Sequence, residues 1–315
     1  MVERTPKVVV VGATYIDMAF KCDQIPSAGR TVSGSELAYT LVGAGPVEAA
    51  QAALCGCDVH LVSKVGGDPF GEMAKRVLTD YKVNVDFVMT AEAKSTGVFV
   101  TLVNSEGENA SCSYSGANCA MQPADVEAAE EIIGQADVCL IHGCLPQEAI
   151  AMALRCAELH NIKVILNPVR PTDQSTQHGD LPDEYFSADI LIPNLSEAAD
   201  ITDQSASIRT AKMIGSDIVA RGCRYAVITM GRRGCMVVDR SGADHIPGFE
   251  VDMVDHTGSG DAFAGALAAC CAVSDDIREA VKFASAAGAL ACTKFGAIEA
   301  LPTKNEIIQL LQRGD

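Results

Sequence analysis

The chain has 315 residues, 48% apolar and 21% charged, with 27 glycines and 12 prolines; this composition excludes a disordered or collagen-like chain and leaves room for one large domain or two ordinary ones. With 41 acidic against 24 basic residues the formal charge is −17. Such a field repels nucleic-acid backbones and anionic membranes, so an anionic substrate must be held by a local exception built from helix N-termini or a few placed cations.

In chain order, Val8–Val11 is a continuous β-branched run, as a strand covered on both faces requires. Val47–Leu54 reads as an Ala-rich helix, Val59–Val65 as a strand and Phe70–Tyr81 as a helix with apolar residues at helical spacing. There follow a helix around Ala124–Ile133, a strand Val138–Ile141, a helix Gln147–Leu159, and strands Val164–Leu166 and Ile190–Ile192. A helix near Thr210–Arg221, a strand Ala226–Met230 and a helical C-terminal third complete the pattern. Alternation of this kind predicts an α/β fold: a doubly wound, mostly parallel sheet with helices on both faces. Arg30–Leu41, and Ser95–Val103 with Ala110–Tyr114 around the turn SEGEN, have hairpin character instead, and predict a small β-sheet lid at about 14–42 and 95–117 within a single domain spanning 1–315.

The 13 cysteines are odd in number and many, such as Cys139, Cys270, Cys271 and Cys292, sit in apolar runs where a free thiol acts as a small hydrophobe. There is no CxxC pair, and the six histidines lack zinc-ligand spacing. The start, MVERTPKVVVVG, is charged and its apolar run is too short for a signal sequence. These features predict a cytoplasmic protein in a reducing compartment, with no structural metal and no membrane partner.

DHTGSGDAF, Asp255–Phe263, runs into the helical AGALAACCA. Gly258, Ser259 and Gly260 are small enough for successive backbone N–H groups to converge on an anion, and the helix adds its positive end. Asp261, in the first turn, is then placed to take a hydroxyl proton while a phosphoryl group is stabilised. The alternative is a glycine-rich turn with an acidic cap. Elsewhere Gly66–Gly71 (GGDPFG) is a tight turn opening a helix. Asn194 and Glu197, one helical turn apart in PNLSE, suit a hydrated magnesium or a capping box. Thr229–Gly234 (TMGRRG) suits close approach of a nucleotide or a hairpin turn.

Together, from Gly12 to Pro302, these motifs resemble the PfkB, or ribokinase-like, carbohydrate kinase family, and STGV followed by VNSEGEN fits its layout. The resemblance implies transfer of the γ-phosphoryl group of ATP to a sugar hydroxyl, with magnesium, and a β lid that mediates a homodimer. It implies Asp261 as catalytic base and Gly258, Ser259 and Gly260 as anion hole, with Ser259 where alanine is usual. Asn194 and Glu197 match residues near magnesium; Thr229, Gly231, Arg232, Gly234, Gly260 and Ser285 match the nucleotide site. Asp255, Thr257, Ala291, Lys294, Gly296 and Ala300 match a monovalent-cation loop, which implies potassium.

The acceptor pocket departs from the family pattern. Asp17 fits a sugar-binding aspartate, but Tyr15 stands where asparagine is usual. In the stretch Val42–Val47, Gly43 is kept while Ala44 and Val47 replace lysine and asparagine, and Cys144 takes a glutamate position. With Phe99 nearby, such a pocket leaves ribose hydroxyls unpaired at about 1–3 kcal/mol each. A deoxy sugar, sugar acid or nucleoside-like acceptor is the expectation; Arg170 in NPVRP reads first as a surface arginine, with an anionic substituent of the acceptor as the alternative partner. Two other readings compete: a silent sugar- or nucleotide-binding sensor on the same fold, against which the complete Asp261 cradle speaks, and an NAD-linked dehydrogenase suggested by VVVVGAT and GAGPVE, neither of which completes GxGxxG.

Overall fold

Valine occupies four consecutive positions of the first strand, β1 (Lys7–Val11), and all four are 0% exposed. Because side chains alternate along a strand, Val8 and Val10 enter one hydrophobic core and Val9 and Val11 the other. The computed structural model describes residues 4–168 and 181–313, so Arg170 lies outside the described residues.

After β1 come β2 (Tyr15–Cys22), β3 (Gly34–Val42), α1 (Ala44–Leu54), β4 (Asp58–Gly66), α2 (Pro69–Asp80), β5 (Val83–Asn84), β6 (Val88–Ala91), β7 (Gly97–Val103) and β8 (Asn109–Tyr114). Next are α3 (Pro123–Glu127), α4 (Glu130–Gly134), β9 (Val138–His142), α5 (Gln147–Leu159), β10 (Lys163–Asn167), β11 (Ile190–Leu191), α6 (Leu195–Ile201), α7 (Ile208–Ala220) and β12 (Tyr225–Thr229). The chain continues with β13 (Cys235–Asp239), β14 (Gly242–Ile246), α8 (Ser259–Cys271), α9 (Ile277–Ala291) and α10 (Lys304–Arg313).

The ten-stranded main sheet runs β14-β13-β12-β11-β10-β9-β1-β4-β5, with β6 also on β4. Pairing is parallel from β12 through β5, and antiparallel at the β13–β14 edge. The chain leaves β1 for β4 on one side and returns to β9 on the other, so β1 is the topological switch point. A second sheet, β3-β2-β7-β8, is the lid. Its β8 is exposed along its length, and Leu37, Tyr39 and Tyr114 stay 46%, 46% and 49% exposed. No helix among the described residues is long and apolar enough to cross a membrane.

The structure departs from the expected elements where side-chain pattern is weakest. Ala124–Ile133 is two short helices, α3 and α4, broken at Ala128–Ala129. The C-terminal third is not helical throughout: it begins with the hairpin β13–β14, whose turn is tied by Asp239 accepting from the backbone of Ser241 and Gly242. Arg30–Leu41 supplies β3 alone, and its hairpin partner is β2.

The two glycine stretches that suggested a dinucleotide fingerprint have another purpose. A Cβ on Gly12 would lie 2.6 Å from the Gly45 Cα, and one on Gly45 would lie 2.8 Å from the Gly12 carbonyl carbon. Gly43, at φ +97°, caps α1, and a Cβ there would meet the Ala13 oxygen at 2.7 Å. Glycine lets the end of β1 and the start of α1 touch backbone to backbone.

Candidate active site

Every candidate motif that follows a parallel strand stands at a carboxyl end: Gly12 after β1, Gly66–Gly67–Asp68 at β4, His142 and Cys144 at β9, Asn167 at β10, Asn194 after β11, Thr229 at β12. That rim is where open α/β sheets bind ligands. A hollow of about 480 Å³ lined by Arg4, Lys7 and Gln135 to Asp137 lies at the opposite, amino ends of β1 and β9.

At the rim, Gly258 takes a left-handed conformation, φ 72°, as N-cap of α8, and Ser259, Gly260 and Asp261 form the first turn. A Cβ on Gly260 would meet nothing within 4 Å, so the backbone there faces open space. The first-turn N–H groups of a helix lack intrahelical partners and carry its positive end, which suits an anion; here Ser259 N donates to the His256 oxygen at 3.3 Å. Gly258 is fixed from behind: a Cβ there would lie 3.1 Å from the Ala297 Cβ and 3.6 Å from Val47 Cγ1.

Asp261 is held by the crossing of α8 on α1. One turn along the same face, a Cβ on Gly265 would lie 2.3 Å from the Glu48 carbonyl oxygen and 2.8 Å from the Gln51 Cβ, so only glycine permits this approach. It brings the Glu48 carboxyl, 0% exposed, to Asp261; a carboxylate oxygen of each and a ring nitrogen of His142 lie within 4.8 Å of one another. Asp261 stays partly solvent-exposed, yet burial of its carboxyl pushes it up to about 7. Burial, and after it the charge of Asp261, push Glu48 well above the usual carboxylate range, against a small opposing effect of Asn167. Burial drives His142 down to about 4, so its ring is neutral at pH 7.

The other motifs resolve in structural terms. Asp68 caps α2 by accepting from Gly71 N at 2.9 Å, and also accepts from Thr96 N at 2.7 Å and Thr96 Oγ1 at 2.6 Å. GGDPFG is therefore a staple joining β4 and α2 to the start of lid strand β7. Partial burial raises the Asp68 carboxyl, but the Thr96 and Gly71 bonds outweigh it and leave it below its ordinary value. Asn194 and Glu197 form a capping box: Asn194 Oδ1 accepts from the backbone of Ser196 and Glu197, and Glu197 Oε2 accepts from Asn194 N at 2.8 Å. Thr229 N donates to the Pro193 oxygen, and Asn194 bridges to Thr229, so the two motifs are neighbours. Gly231–Arg233 is a single 3-10 turn of the β12–β13 hairpin; Gly231 (φ 59°) faces open space, and Gly234 (φ 83°) lies against the Ile246 backbone. Ser285, half-buried on α9, meets Cys235 at 3.5 Å behind that hairpin.

Asp255 joins the two halves of the proposed cation loop. Its Oδ1 accepts from Thr257 N and Oγ1 at 3.0 and 2.7 Å, and its Oδ2 from Gly296 N at 3.1 Å. Ala291 and Ala300, on either side of Gly296 in sequence, are buried, whereas the Lys294 side chain turns out to Glu306 at 3.5 Å.

Among the acceptor-pocket residues, Tyr15, Asp17 and Phe99 share one face of the lid sheet, since Asp17 pairs with Phe99 in register. The Tyr15 and Phe99 rings stand 4.9 Å apart. Asp17 accepts from Thr101 Oγ1 at 2.9 Å, and burial nonetheless raises its carboxyl. Gly97 makes room for Tyr15, since a Cβ there would lie 2.7 Å from its ring. Val47 is 0% exposed and Ala44 8%, so these two expected acceptor contacts are packed into the protein and are not presented to a ligand. Cys144 is half-buried, its backbone N–H donating to His142 Nδ1 at 3.2 Å.

Glu48 and His142 are site residues that the motif reading passed over. The available signal was a charged residue inside the apolar helix GPVEAAQAAL and a histidine ending the apolar strand VCLIH, each costly to bury without a purpose.

Comparison with known proteins identifies the family and the fold. Residues 5–304 match the family described as pfkB family carbohydrate kinase. The chain is 32% identical over 306 residues to a ribokinase of Bacillus subtilis, covering 96% of this chain and 99% of that one. It is 27% identical over 311 residues to a deoxyribokinase of Salmonella typhi, covering 96% and 98%. A solved structure of Arabidopsis thaliana ribokinase complexed with ribose and ATP shares the fold at TM-score 0.89 and 24% identity, covering 98% of this chain and 99% of that chain. The expected α/β architecture with its lid sheet is the one found, and the chain belongs to the pfkB family of carbohydrate kinases, phosphotransferases that use an alcohol group as acceptor.

Proposed function

We propose that the chain transfers the γ-phosphoryl group of ATP to a hydroxyl of a sugar-like molecule poorer in hydroxyls than ribose, with Asp261 as the base. The observation that carries this reading is Asp261 itself: a carboxylate in the first turn of α8, beside an open, glycine-built anion cradle, with its proton affinity raised to about 7 by burial. In that position the acceptor oxygen attacks the γ-phosphorus as the bond to the β-phosphate oxygen breaks, and Asp261 takes the hydroxyl proton late in a loose transition state. The amides of Gly258, Ser259 and Gly260 meet the charge of the migrating group, and the lid excludes competing water.

Thr229, Gly231, Arg232 and Gly234, with Ser285 behind them, would border the nucleotide. The cap at Asn194 uses only Oε2 of Glu197, so the carboxylate retains an oxygen for a hydrated magnesium ion, and the donor set suits that hard cation. Magnesium would neutralise charge on the phosphates. Asp255, Thr257, Ala291, Gly296 and Ala300 would supply a potassium site mainly through carbonyls, with Lys294 contributing backbone alone because its side chain is turned to Glu306. Exchanging choline for potassium is expected to raise kcat; a flat response removes the potassium assignment.

Tyr15, Phe99 and Cys144 offer an acceptor few hydrogen bonds and leave Asp17 as the main polar contact from the lid, while Val47 is packed in the core. A deoxy sugar fits that lining, in keeping with the deoxyribokinase among its relatives. Exposed Leu37, Tyr39 and Tyr114 on the lid suit burial in a homodimer. The free thiols support a reducing, cytoplasmic setting.

The test is ADP release with ATP and magnesium over pentoses, deoxypentoses, hexoses, sugar acids and nucleosides. The expected result is a higher kcat/KM for a deoxy sugar than for ribose. Turnover with no acceptor, alongside measurable nucleotide binding, would favour the sensor reading instead.

A further inference from the structure

Glu48 is the anomaly of this site. It sits on α1 and is 0% exposed; among the described residues neither carboxylate oxygen makes a well-formed hydrogen bond, and only the Asn167 side chain lies near enough to favour the ionised form. An ionised carboxylate in that state carries a large desolvation cost. The ionisable groups at this junction are Glu48 from α1, Asp261 from α8 and His142 from the end of β9; β10 contributes Asn167, which is uncharged. No ion pair to either carboxylate exists among the described residues, and Asp261 is the charged group that acts on Glu48. Two carboxylates this close do not both ionise readily; they titrate as a pair.

We propose that Glu48 is a positioning residue for Asp261: it holds the resting proton of a carboxyl pair, and the pair rather than Asp261 alone fixes when the base becomes competent. The inference rests on the assignment of Asp261 as base. A separation of up to 4.8 Å is one that a bridging water spans. At rest the pair holds one proton. During transfer the acceptor O–H bond breaks, its proton passes to Asp261, its oxygen bonds to the γ-phosphorus, and ADP departs. The pair then holds two protons and releases one through Asp261, the member that reaches the cleft. Burial of Glu48 and the raised affinity of Asp261 agree with this order.

A metal held by the same trio is the competing use, and the histidine speaks against it. His142 Nδ1 accepts from the Cys144 backbone N–H at 3.2 Å, so the proton of the neutral ring is on Nε2. A histidine that binds metal through Nε2 instead needs Nδ1 to donate. Here Nε2–H is a donor suited to the ionised member of the carboxyl pair.

The test is Glu48→Gln, which keeps the shape and removes the proton. Its first readout is the acid limb of kcat/KM against pH: Gln is a neutral partner like protonated Glu48 and should leave the limb near wild type, whereas Glu48→Met, which removes the hydrogen-bond donor beside the Asp261 carboxylate, should move it up by about 1 unit. The alkaline plateau should stay near wild type. The second readout is Tm against pH without substrate, which does not depend on turnover. A carboxyl whose affinity is raised by folding destabilises the folded state progressively as pH climbs above its unfolded value, near 4.5. The variant should therefore gain on wild type as pH rises from 5 to about 8. Glu48→Met repeats the Tm readout if Glu48→Gln does not fold. An acid limb unmoved in Glu48→Met together with a pH-independent Tm difference would overturn the proposal. So would stoichiometric zinc binding to the wild-type chain that Glu48→Gln abolishes. Loss of the kinase reading itself would appear differently, as absent turnover with the Tm signature intact.

Discussion

Asp261→Asn is expected to lower kcat by about 10²–10⁴-fold while leaving ATP affinity nearly unchanged. Asparagine has the shape of aspartate but cannot accept the acceptor proton. The cradle meanwhile is made of backbone from Gly258 to Gly260 and of the α8 dipole, which the substitution leaves in place. The loss should therefore fall on the chemical step. Stability separates this from unfolding: removing a buried carboxyl whose proton affinity is raised by burial relieves a cost that grows above the unfolded value of 3.8. The variant should melt no lower than wild type at pH 8. Steady-state kinetics with a single preferred acceptor, run beside a thermal melt, checks both halves. Wild-type turnover in a well-folded variant would remove the role.

Gly265→Ala should be damaging at a position that touches neither nucleotide nor acceptor. The added carbon would meet the Glu48 carbonyl oxygen at 2.3 Å and the Gln51 Cβ at 2.8 Å, so α1 and α8 must separate. Gln51 is itself tied, its Nε2 donating to the Pro302 oxygen at 3.0 Å, and the neighbouring core is closely packed. Overpacking of this kind costs about 1–3 kcal/mol. Since the same crossing sets Asp261 against the strand ends, kcat should fall further than the stability loss explains. Gly260→Ala is the control for stability: its added carbon meets nothing within 4 Å, and alanine is the better helix former. Thermal melts of the two variants should part clearly; equal melting points would contradict the account of the helix crossing.

How much of this was legible depended on how local each feature is. The parallel sheet could be read because buried strands write themselves as runs such as Val8–Val11 and Val138–Ile141, and α5 could be read to its ends because its apolar period is clean. The β13–β14 hairpin was not: β13 buries Val237 in one core and Val238 in the other, but its partner β14, GADHI, is a partly exposed edge strand with no apolar run to announce it. The DHTGSGDAF cradle was visible because small residues before a helix say what the backbone does. Asn194 and Glu197 illustrate a limit: capping and metal binding ask for the same residues at the same spacing, and the cap observed holds them at the rim in either case. Glu48 belongs to a different class. Its meaning lies in a contact made between α1 and α8, more than two hundred positions apart in the chain, and no local pattern encodes that contact.

The most direct measurement is a crystal structure of the Asp261→Asn chain with a non-hydrolysable ATP analogue, magnesium and the preferred acceptor. The account places the acceptor hydroxyl about 2.6–3.2 Å from the residue 261 side chain. It places the terminal phosphate over the amides of Gly258, Ser259 and Gly260. A hydroxyl directed to another side chain, or a phosphate seated away from the mouth of α8, would contradict it.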